Sequence, residues 1–381
     1  MEVEIGSPLS IEQAFRLALE EARKGFGGVS PNPPVGCVIL DAKNRLLAKG
    51  HHQKFGGPHA EVEAFNRVED KSLLHGAKFI VTLEPCSHFG KTPPCADLLS
   101  SLPLAEVHYG LKDPNPLVSG KGLEKIKGAG IGVFSAPPSL QGELEEVAEI
   151  FLHFQRQKKC FVGLKVASSL DGRMGLSNGE SQWITNAVSR EQGHLLRAYY
   201  GAVLTSATSV IKDDARLNVR VPPFESKKIP VFLLDRAAKS AEFLKTAKLM
   251  KVRSPHDVFI FTGKDNENKW ASVLPEGQVL SAPLKEGNLD LAWILREISA
   301  RGYVSVMVEA GPRLSSAFLS QGLFDRLELF LGNKILGDSP EGSWSKGLRL
   351  LKLDQALSLE ALRIRTLGGD LWLSGRKPES F

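Results

Sequence analysis

The string Thr82-Leu83-Glu84-Pro85-Cys86-Ser87-His88-Phe89-Gly90-Lys91-Thr92-Pro93-Pro94-Cys95, taken with His59-Ala60-Glu61 upstream of it, decides how this chain is read. His59, Cys86 and Cys95 offer one imidazole and two thiols. Those are three of the four ligands of a tetrahedral zinc, so a fourth position stays open for water. Zinc lowers the pKa of such a water towards neutrality and makes hydroxide available as a nucleophile. Glu61, two residues from His59, is close enough to move protons without coordinating.

Both ends of the stretch lie where helices are expected to begin. Apolar residues recur at helical spacing over 59–68 and over 95–102. Exposed N–H groups at a helix start favour the thiolate, which is the form that binds metal. Zinc enzymes that deaminate nucleobases use such a donor set, with glutamate as general acid and base. A fourth ligand from His88 or His75 closes the site instead, and Glu61 then has no task. His51, His52, His75 and His108 otherwise read as local structure or surface, with His51 within reach of a substrate.

Working outward, the first half is expected to place a helix at 11–23 and strands at 35–40 and 46–51 about a polar turn. Strands follow at 78–83, 105–111 and 131–135, with a helix at 122–128. One longer helix at 139–157 closes this half, and the polar, basic run 155–159 marks the boundary. The expected domains are 1–154 and 155–381. The second half restarts with a strand at 161–168 and alternates strands at 202–204, 230–234, 257–262 and 304–309 with helices. Alternation of this kind predicts α/β layering in both halves. Residues 335–345 read as a loop, there is no internal repeat, and the tail beyond Leu336 carries no motif.

A chain of 381 residues is too long for one ordinary core, which agrees with two domains. No stretch approaches the roughly 20 apolar residues needed to span a bilayer. The first residues lack a basic segment followed by an apolar one, so no secretory signal is read and a cytoplasmic location is expected. The formal charge of +5 is mild, without a Lys/Arg tract for nucleic acid; small phosphorylated substrates account for it as well. Neither nucleic acid nor membrane is expected as a partner, and a homo-oligomer is allowed for. Cys37 and Cys160 sit in strand-like apolar runs and read as core, and no disulfide framework is expected.

The second half carries no G-x-G-x-x-G. It offers Lys165-Val166-Ala167-Ser168-Ser169-Leu170-Asp171-Gly172-Arg173, a strand entering an Asp-Gly turn. Gly179-Glu180-Ser181-Gln182-Trp183-Ile184-Thr185, Asp213-Asp214 and Leu217-Asn218-Val219-Arg220 follow. Val308-Glu309-Ala310-Gly311-Pro312 leaves a strand and opens a helix. Small residues at such a turn bring backbone N–H groups and the helix dipole up to a phosphate. An ordinary strand–helix connection is the competing reading.

The common deaminase signature separates its cysteines by two residues, whereas Ser87 to Pro94 intervene here. The whole 82–95 string, with Pro31-Asn32-Pro33-Pro34-Val35-Gly36 and Asp113-Pro114-Asn115-Pro116, resembles the deaminase half of the bifunctional riboflavin-biosynthesis deaminase/reductases. The second-half strings resemble the reductase half of that family. The resemblance runs from about Ile11 to about Leu336 and implies the fold class. That class is α/β, with an N-terminal cytidine-deaminase-like α/β/α domain and a C-terminal dihydrofolate-reductase-like α/β domain.

The resemblance also implies chemistry. Zinc-dependent deamination of 2,5-diamino-6-ribosylamino-4(3H)-pyrimidinone 5′-phosphate precedes NADPH-dependent reduction of the ribosyl chain to ribityl. In the first half it implies Lys91 and His88 at the sugar phosphate, Asn32 at the pyrimidine edge, and Asp113 and Asn115 at the ribosyl chain. In the second half it implies that Ala167, Trp183, Ser209, Asp213 and the turn Gly311, Pro312, Arg313, Leu314, Ser315, Ser316, Ala317 hold the cofactor. Ser181, Arg197, Leu217, Arg220 and Glu309 then hold the substrate, the arginine forks suiting its 5′-phosphate. Lys165 and Asp213 are candidates for moving protons during ring opening. Arg236 stands where the family more often has a small hydroxyl residue; it either meets the 2′-phosphate of NADPH or lies at the surface. Two other readings stay open: a nucleic-acid deaminase with an accessory domain, and a zinc-stabilised scaffold without activity.

Overall fold

The computed structural model describes residues 3–89, 93–114, 119–337, 342–348 and 350–378. The chain divides into two compact units, Met1–Lys158 and Lys159–Phe381. The division falls just beyond the expected 154/155, because the last helix of the first unit runs to Gln157.

The first unit contains α1 (Ile11–Lys24), β1 (Gly36–Leu40), β2 (Leu46–His51), α2 (Ala60–Asn66), β3 (Lys78–Leu83) and α3 (Cys95–Ser100). It continues with β4 (Glu106–Leu111), α4 (Lys121–Gly128), β5 (Gly132–Ser135), α5 (Gln141–Val147) and α6 (Glu149–Gln157). Among the described residues its sheet has the order β2-β1-β3-β4-β5, antiparallel from β2 to β3 and parallel from β3 to β5. Alternate strand residues face opposite sides. Val38, Leu40 and Ile80 therefore join Phe15 and Leu19 of α1 in one core, with Leu144 and Leu152 of α5 and α6. Cys37, Ile39 and Phe79 join Ala64, Leu99 and Ile126 of α2, α3 and α4 in the other. The result is the anticipated α/β/α layering. The start of α1 is fixed by a capping box, in which Ser10 and Gln13 each accept the other's backbone N–H.

One expectation fails here. The single helix anticipated over 139–157 is two helices broken at Ala148, where the backbone turns to φ −98° and ψ 6°. No proline or glycine marks the break. It lets α5 lie against α1, where Arg16 meets Glu143 at 2.6 Å, while α6 turns Phe151 and Gln155 to a cavity described below.

The second unit begins with β6 (Phe161–Ser169), α7 (Ala187–Tyr200), β7 (Val203–Ser206), α8 (Ala207–Asp213), β8 (Val231–Leu234), α9 (Ala241–Leu244) and α10 (Lys248–Lys251). Next come β9 (Val258–Thr262), β10 (Val279–Ser281), the short pair β11 (Leu284–Lys285) and β12 (Asn288–Leu289), and α11 (Leu291–Ala300). It ends with β13 (Ser305–Glu309), α12 (Pro312–Ser320), β14 (Arg326–Gly332), β15 (Glu360–Leu367) and β16 (Asp370–Arg376). The main sheet runs β10-β9-β8-β7-β13-β6-β14-β16-β15. It is parallel from β10 to β14 and antiparallel across β14, β16 and β15. A parallel sheet is covered on both faces, so its strands are apolar throughout. All of Val231–Leu234 is buried accordingly.

The tail beyond Leu336 is not empty of structure. It supplies the hairpin β15–β16, which completes the sheet along β14. Its alternation of Leu362 and Ile364 with Arg363 and Arg365 is a period-two signal that the motif search passed over.

Candidate functional site

In the first unit the Nδ1 of His59 lies 3.5 Å from Cys86 Sγ and 3.4 Å from Cys95 Sγ. The three ligand atoms fall within 4.8 Å of one another. Zinc bonds of about 2.0–2.3 Å at tetrahedral angles place donors about 3.5–3.8 Å apart, so this set fits zinc. Among the described residues no fourth side chain joins the group; neither His88 nor His75 closes it.

Local structure explains the convergence. His59 is the N-cap of α2 in extended backbone, and its side chain makes no cap bond, which leaves the ring for metal. Cys95 opens α3, whose first amides face Cys86: the Cys95 N–H donates to Cys86 Sγ at 3.3 Å and the Ala96 N–H to the Cys86 carbonyl at 3.1 Å. A Cβ added to Gly122, at the start of α4, would stand 2.2 Å from the Pro85 carbonyl. Only glycine lets α4 brace the ligand loop so closely. The bond from Cys95 and then the one to His59 hold the Cys86 thiol down to about 4, while the same thiol pairing raises Cys95.

Glu61 lies in the first turn of α2 and is 4 % exposed. Burial, then the charge of Cys86, push its carboxyl up to about 7. It lines a cavity of about 350 Å³ with His59, Cys86, Asn32, His88 and Asp113. Three of the expected substrate residues are therefore beside the expected metal site. Lys91 and Asn115 lie outside the described residues. His51 is turned instead to Glu21, 3.1 Å away.

Two residues at this cavity escaped the sequence reading. His52, read as local structure or surface, is 3 % exposed and faces the cavity. Its Nδ1 meets the Pro58 carbonyl at 2.8 Å, and its Nε2 meets the Asn32 amide at 3.3 Å. Burial lowers its pKa, so the neutral ring donates from Nδ1 and accepts at Nε2. It thereby fixes both the turn that presents His59 and the amide of Asn32. Glu84 accepts the Gly120 N–H at 2.6 Å and the Asp113 N–H at 3.3 Å. It ties the ligand loop to the segment carrying Asp113. The doublet His51-His52 at a strand end was the available signal for the first; nothing local marks the second.

In the second unit Lys165 on β6 and Glu309 on β13 are register partners. The Lys165 Nζ is 3.6 Å from Glu309 Oε1. Arg197 on α7 grips Glu309 with both arms, Nε to Oε2 and Nη2 to Oε1, each at 2.8 Å. Its Nη1 donates to the Asn218 carbonyl at 3.0 Å, and Arg220 donates to Asn218 Oδ1 at 2.8 Å. Leu217 stands beside them with φ +50°. Burial works to raise Glu309, but Arg197 and Lys165 outweigh it and hold the carboxyl far below the usual range. The expectation that Arg197 offers its fork to a phosphate is altered: that fork is turned onto Glu309. His194, missed in the sequence, stands 3.1 Å from the Asn218 carbonyl, and burial, then Arg197, lower it to about 4.

The expected cofactor residues surround the same sheet end. Gly311 N–H donates to Ser209 Oγ at 3.2 Å, and Gly311 caps α12 without a side-chain bond. Within that turn Ser315 and Ser316 are buried, Leu314 and Ala317 pack on the core, Pro312 is half-buried and Arg313 is exposed. Asp213, raised by burial, is bonded to the Gln182 side chain. Trp183 is 59 % exposed, with the Arg190 guanidinium 4.4 Å over its ring. Ala167 is half-buried on β6 opposite Phe330, and Ser181 lies beside Gly175. Arg236 is exposed and bonded to the Gly287 carbonyl.

Comparison with known proteins agrees with both halves. The cytidine and deoxycytidylate deaminase zinc-binding region matches residues 9–111, and the RibD C-terminal domain matches residues 160–373. Riboflavin biosynthesis protein RibD of Aquifex aeolicus is 37 % identical over 357 residues, covering 94 % of this chain and 96 % of that protein. The Escherichia coli protein of the same name is 35 % identical over 367 residues, covering 93 % and 96 %. The solved structure of Acinetobacter baumannii RibD superposes with a TM-score of 0.82 at 33 % identity, covering 97 % of this chain and 99 % of that one. A diaminohydroxyphosphoribosylaminopyrimidine deaminase/5-amino-6-(5-phosphoribosylamino)uracil reductase from Thermotoga maritima superposes with a TM-score of 0.80 at 34 % identity, covering 97 % and 99 %. With both halves matched in order and nearly end to end, this chain belongs to the RibD family of riboflavin biosynthesis proteins.

Proposed function

We propose that the chain carries out two consecutive steps of riboflavin biosynthesis. Its first unit deaminates 2,5-diamino-6-ribosylamino-4(3H)-pyrimidinone 5′-phosphate, and its second reduces the ribosyl chain of the product with NADPH. The observation that carries the proposal is a zinc-fitting His59–Cys86–Cys95 set and a buried Glu61 on one cavity.

His59, Cys86 and Cys95 would hold a zinc ion that, when bound, would polarise water for addition to the ring carbon bearing the 2-amino group. Glu61 takes a proton from that water and delivers it to the departing amine, so water enters and ammonia leaves. Its raised carboxyl suits both halves of that transfer. Asn32, oriented by His52, is assigned to the pyrimidine edge. His88 and Lys91 are assigned to the 5′-phosphate, and Asp113 and Asn115 to the ribosyl chain.

In the second unit NADPH supplies hydride to the opened sugar carbon. Lys165, 3.6 Å from Glu309, and Asp213 are assigned to the protons moved in ring opening, which end on the sugar oxygen and on the nitrogen attached to that carbon. Arg220 is assigned to the 5′-phosphate, and Arg197 to holding Glu309 in place. The start of α12, joined to Ser209 by the Gly311 N–H, is assigned to a nucleotide phosphate. Ala167, Asp213 and Trp183 complete the cofactor side, with Ser181 and Leu217 on the substrate side. The proposal takes 1–154 and 155–381 as the working domains, small pyrimidine ribosyl phosphates as partners, and the cytoplasm as location. The uncovered edge strand β15, with Leu362 and Ile364 exposed, supports a homo-oligomer.

The test is incubation with the diaminopyrimidinone phosphate, first without and then with NADPH. Ammonia is expected in the first stage and nicotinamide oxidation only in the second. Oxidation of NADPH ahead of ammonia release would reverse the order, and no ammonia at all would end the proposal.

A further inference from the structure

The cavity around Glu61 has walls of two origins. Almost all of its lining, from Asn32 to His88, falls inside the stretch matched to the cytidine and deoxycytidylate deaminase region, 9–111. Asp113, Phe151 and Gln155 lie outside it. The last two stand four apart on α6, hence on one helical face. Phe151 also packs against the core beneath, so the helix is anchored while this face looks into the cavity. The break at Ala148 is what aims it there.

Gln155 is not alone at this wall. Its Oε1 accepts a bond from Lys158 Nζ at 3.0 Å. Lys158 ends α6 with φ +53°, a conformation that favours glycine. The Lys158 ammonium is thus bonded to a residue of the cavity wall, and the expected occupant of that cavity ends in a phosphate.

We propose that α6 is a substrate-specificity element of the deaminase: Gln155 recognises the ribosyl chain and positions Lys158 to receive the 5′-phosphate. The proposal rests on the deaminase reading above. The matched region then handles the aminopyrimidine ring and, through His88, part of the sugar phosphate, and the added helix extends recognition of the ribosyl phosphate. Asp113 and His88 approach the same ligand from other elements. No bond is made or broken by α6; it contributes affinity alone.

The experiment measures ammonia release by the full chain with the phosphorylated substrate and with its dephosphorylated counterpart. Lys158→Ala exchanges one L residue for another at the same strained position, so the fold should tolerate it. It is expected to raise KM for the phosphorylated substrate about tenfold with kcat nearly unchanged, as loss of a charge-assisted bond to bound substrate requires. The dephosphorylated compound should show no such penalty, and Lys158→Arg should recover most of the loss. Gln155→Ala should raise KM for both compounds. An unchanged KM in both variants, or a Lys158→Ala penalty equal on the two compounds, would overturn the proposal. Failure of the unsubstituted protein to release ammonia would sink the deaminase reading and this inference together, and is distinguishable because it appears before any substitution is made.

Discussion

Glu61 in the first unit and Glu309 in the second are both withdrawn from water, yet their carboxyls are shifted in opposite directions. Glu61 is 4 % exposed, and burial lifts its carboxyl to about 7. Glu309 keeps 20 % of its side-chain exposure and feels burial too, but a two-armed Arg197 and the nearby Lys165 pull it far below the usual range. Desolvation disfavours charge, and a guanidinium within hydrogen-bond reach more than repays it. The first glutamate can take up and release protons near neutral pH. The second is a permanent anion, suited to orienting the cations Arg197 and Lys165. Two carboxylates of one chain are thus given different work by their neighbours alone.

The severest test of this contrast removes the proton from the first site. Glu61→Gln keeps all three metal donors and is expected to retain zinc while losing about 10²–10⁴ in the rate of ammonia release. Metal content and ammonia measured on one preparation decide it. Zinc retained with normal ammonia release would strip Glu61 of its role. Reduction of the deaminated substrate should continue unchanged, since it belongs to the other unit.

Removing the anion from the second site should instead cost stability. Glu309→Gln leaves Arg197, itself only 13 % exposed, facing a neutral amide. Breaking one side of a buried pair costs about 3 kcal/mol, read as lowered resistance to denaturant. NADPH oxidation should fall with it while deamination survives. A variant as stable as the parent would mean that the guanidinium does not depend on this partner.

A third buried carboxylate sharpens the comparison. Glu328 sits in the second unit but is held chiefly by neutral donors, Tyr200 at 3.0 Å and Trp372 at 2.9 Å. Burial lifts it to about 7 in spite of Arg326. The partner, not the unit, should therefore decide its behaviour. Its folded pKa lies above the ordinary 4.5, so the unfolded chain releases this proton first. The stability it contributes is present below about pH 4.5 and is lost as pH rises through about 7, on the order of 3 kcal/mol. Glu328→Gln should flatten that part of the stability profile, matching the parent near pH 5 and exceeding it at pH 8. Parallel profiles for the two proteins would show that Glu328 ionises normally.

Much of the first site was legible in the residues. His59, Glu61, Cys86 and Cys95 are chemically distinctive types, and helix starts and strand ends place them predictably. In the second sheet β6, β7, β8, β9 and β13 were readable because parallel, doubly covered strands are apolar throughout, as at Val231–Leu234, whereas β10 and β14 went unread. Legibility failed where a residue's task depends on a distant neighbour. His52 looks like any histidine until Pro58 and Asn32 close on its two nitrogens. Glu84 gains its role only when Gly120, far along the chain, offers its N–H. The break at Ala148 has no proline or glycine to announce it. The hairpin β15–β16 was missed because a charged edge strand lacks the apolar signature of an inner one.

The amino-acid sequence by itself determined the metal donors, the acid beside them, the two-domain α/β plan and the family. These rest on residue type and short-range periodicity, which need no knowledge of what lies across the fold. Only the tertiary structure decided that Arg197 spends its fork on Glu309, that His52 orders the deaminase cavity, and that α6 forms part of its wall. Hydrogen bonds and ion pairs act over a few ångströms between groups that may be separated by over a hundred residues, as Arg197 and Glu309 are. Which groups meet is settled by packing of the whole chain.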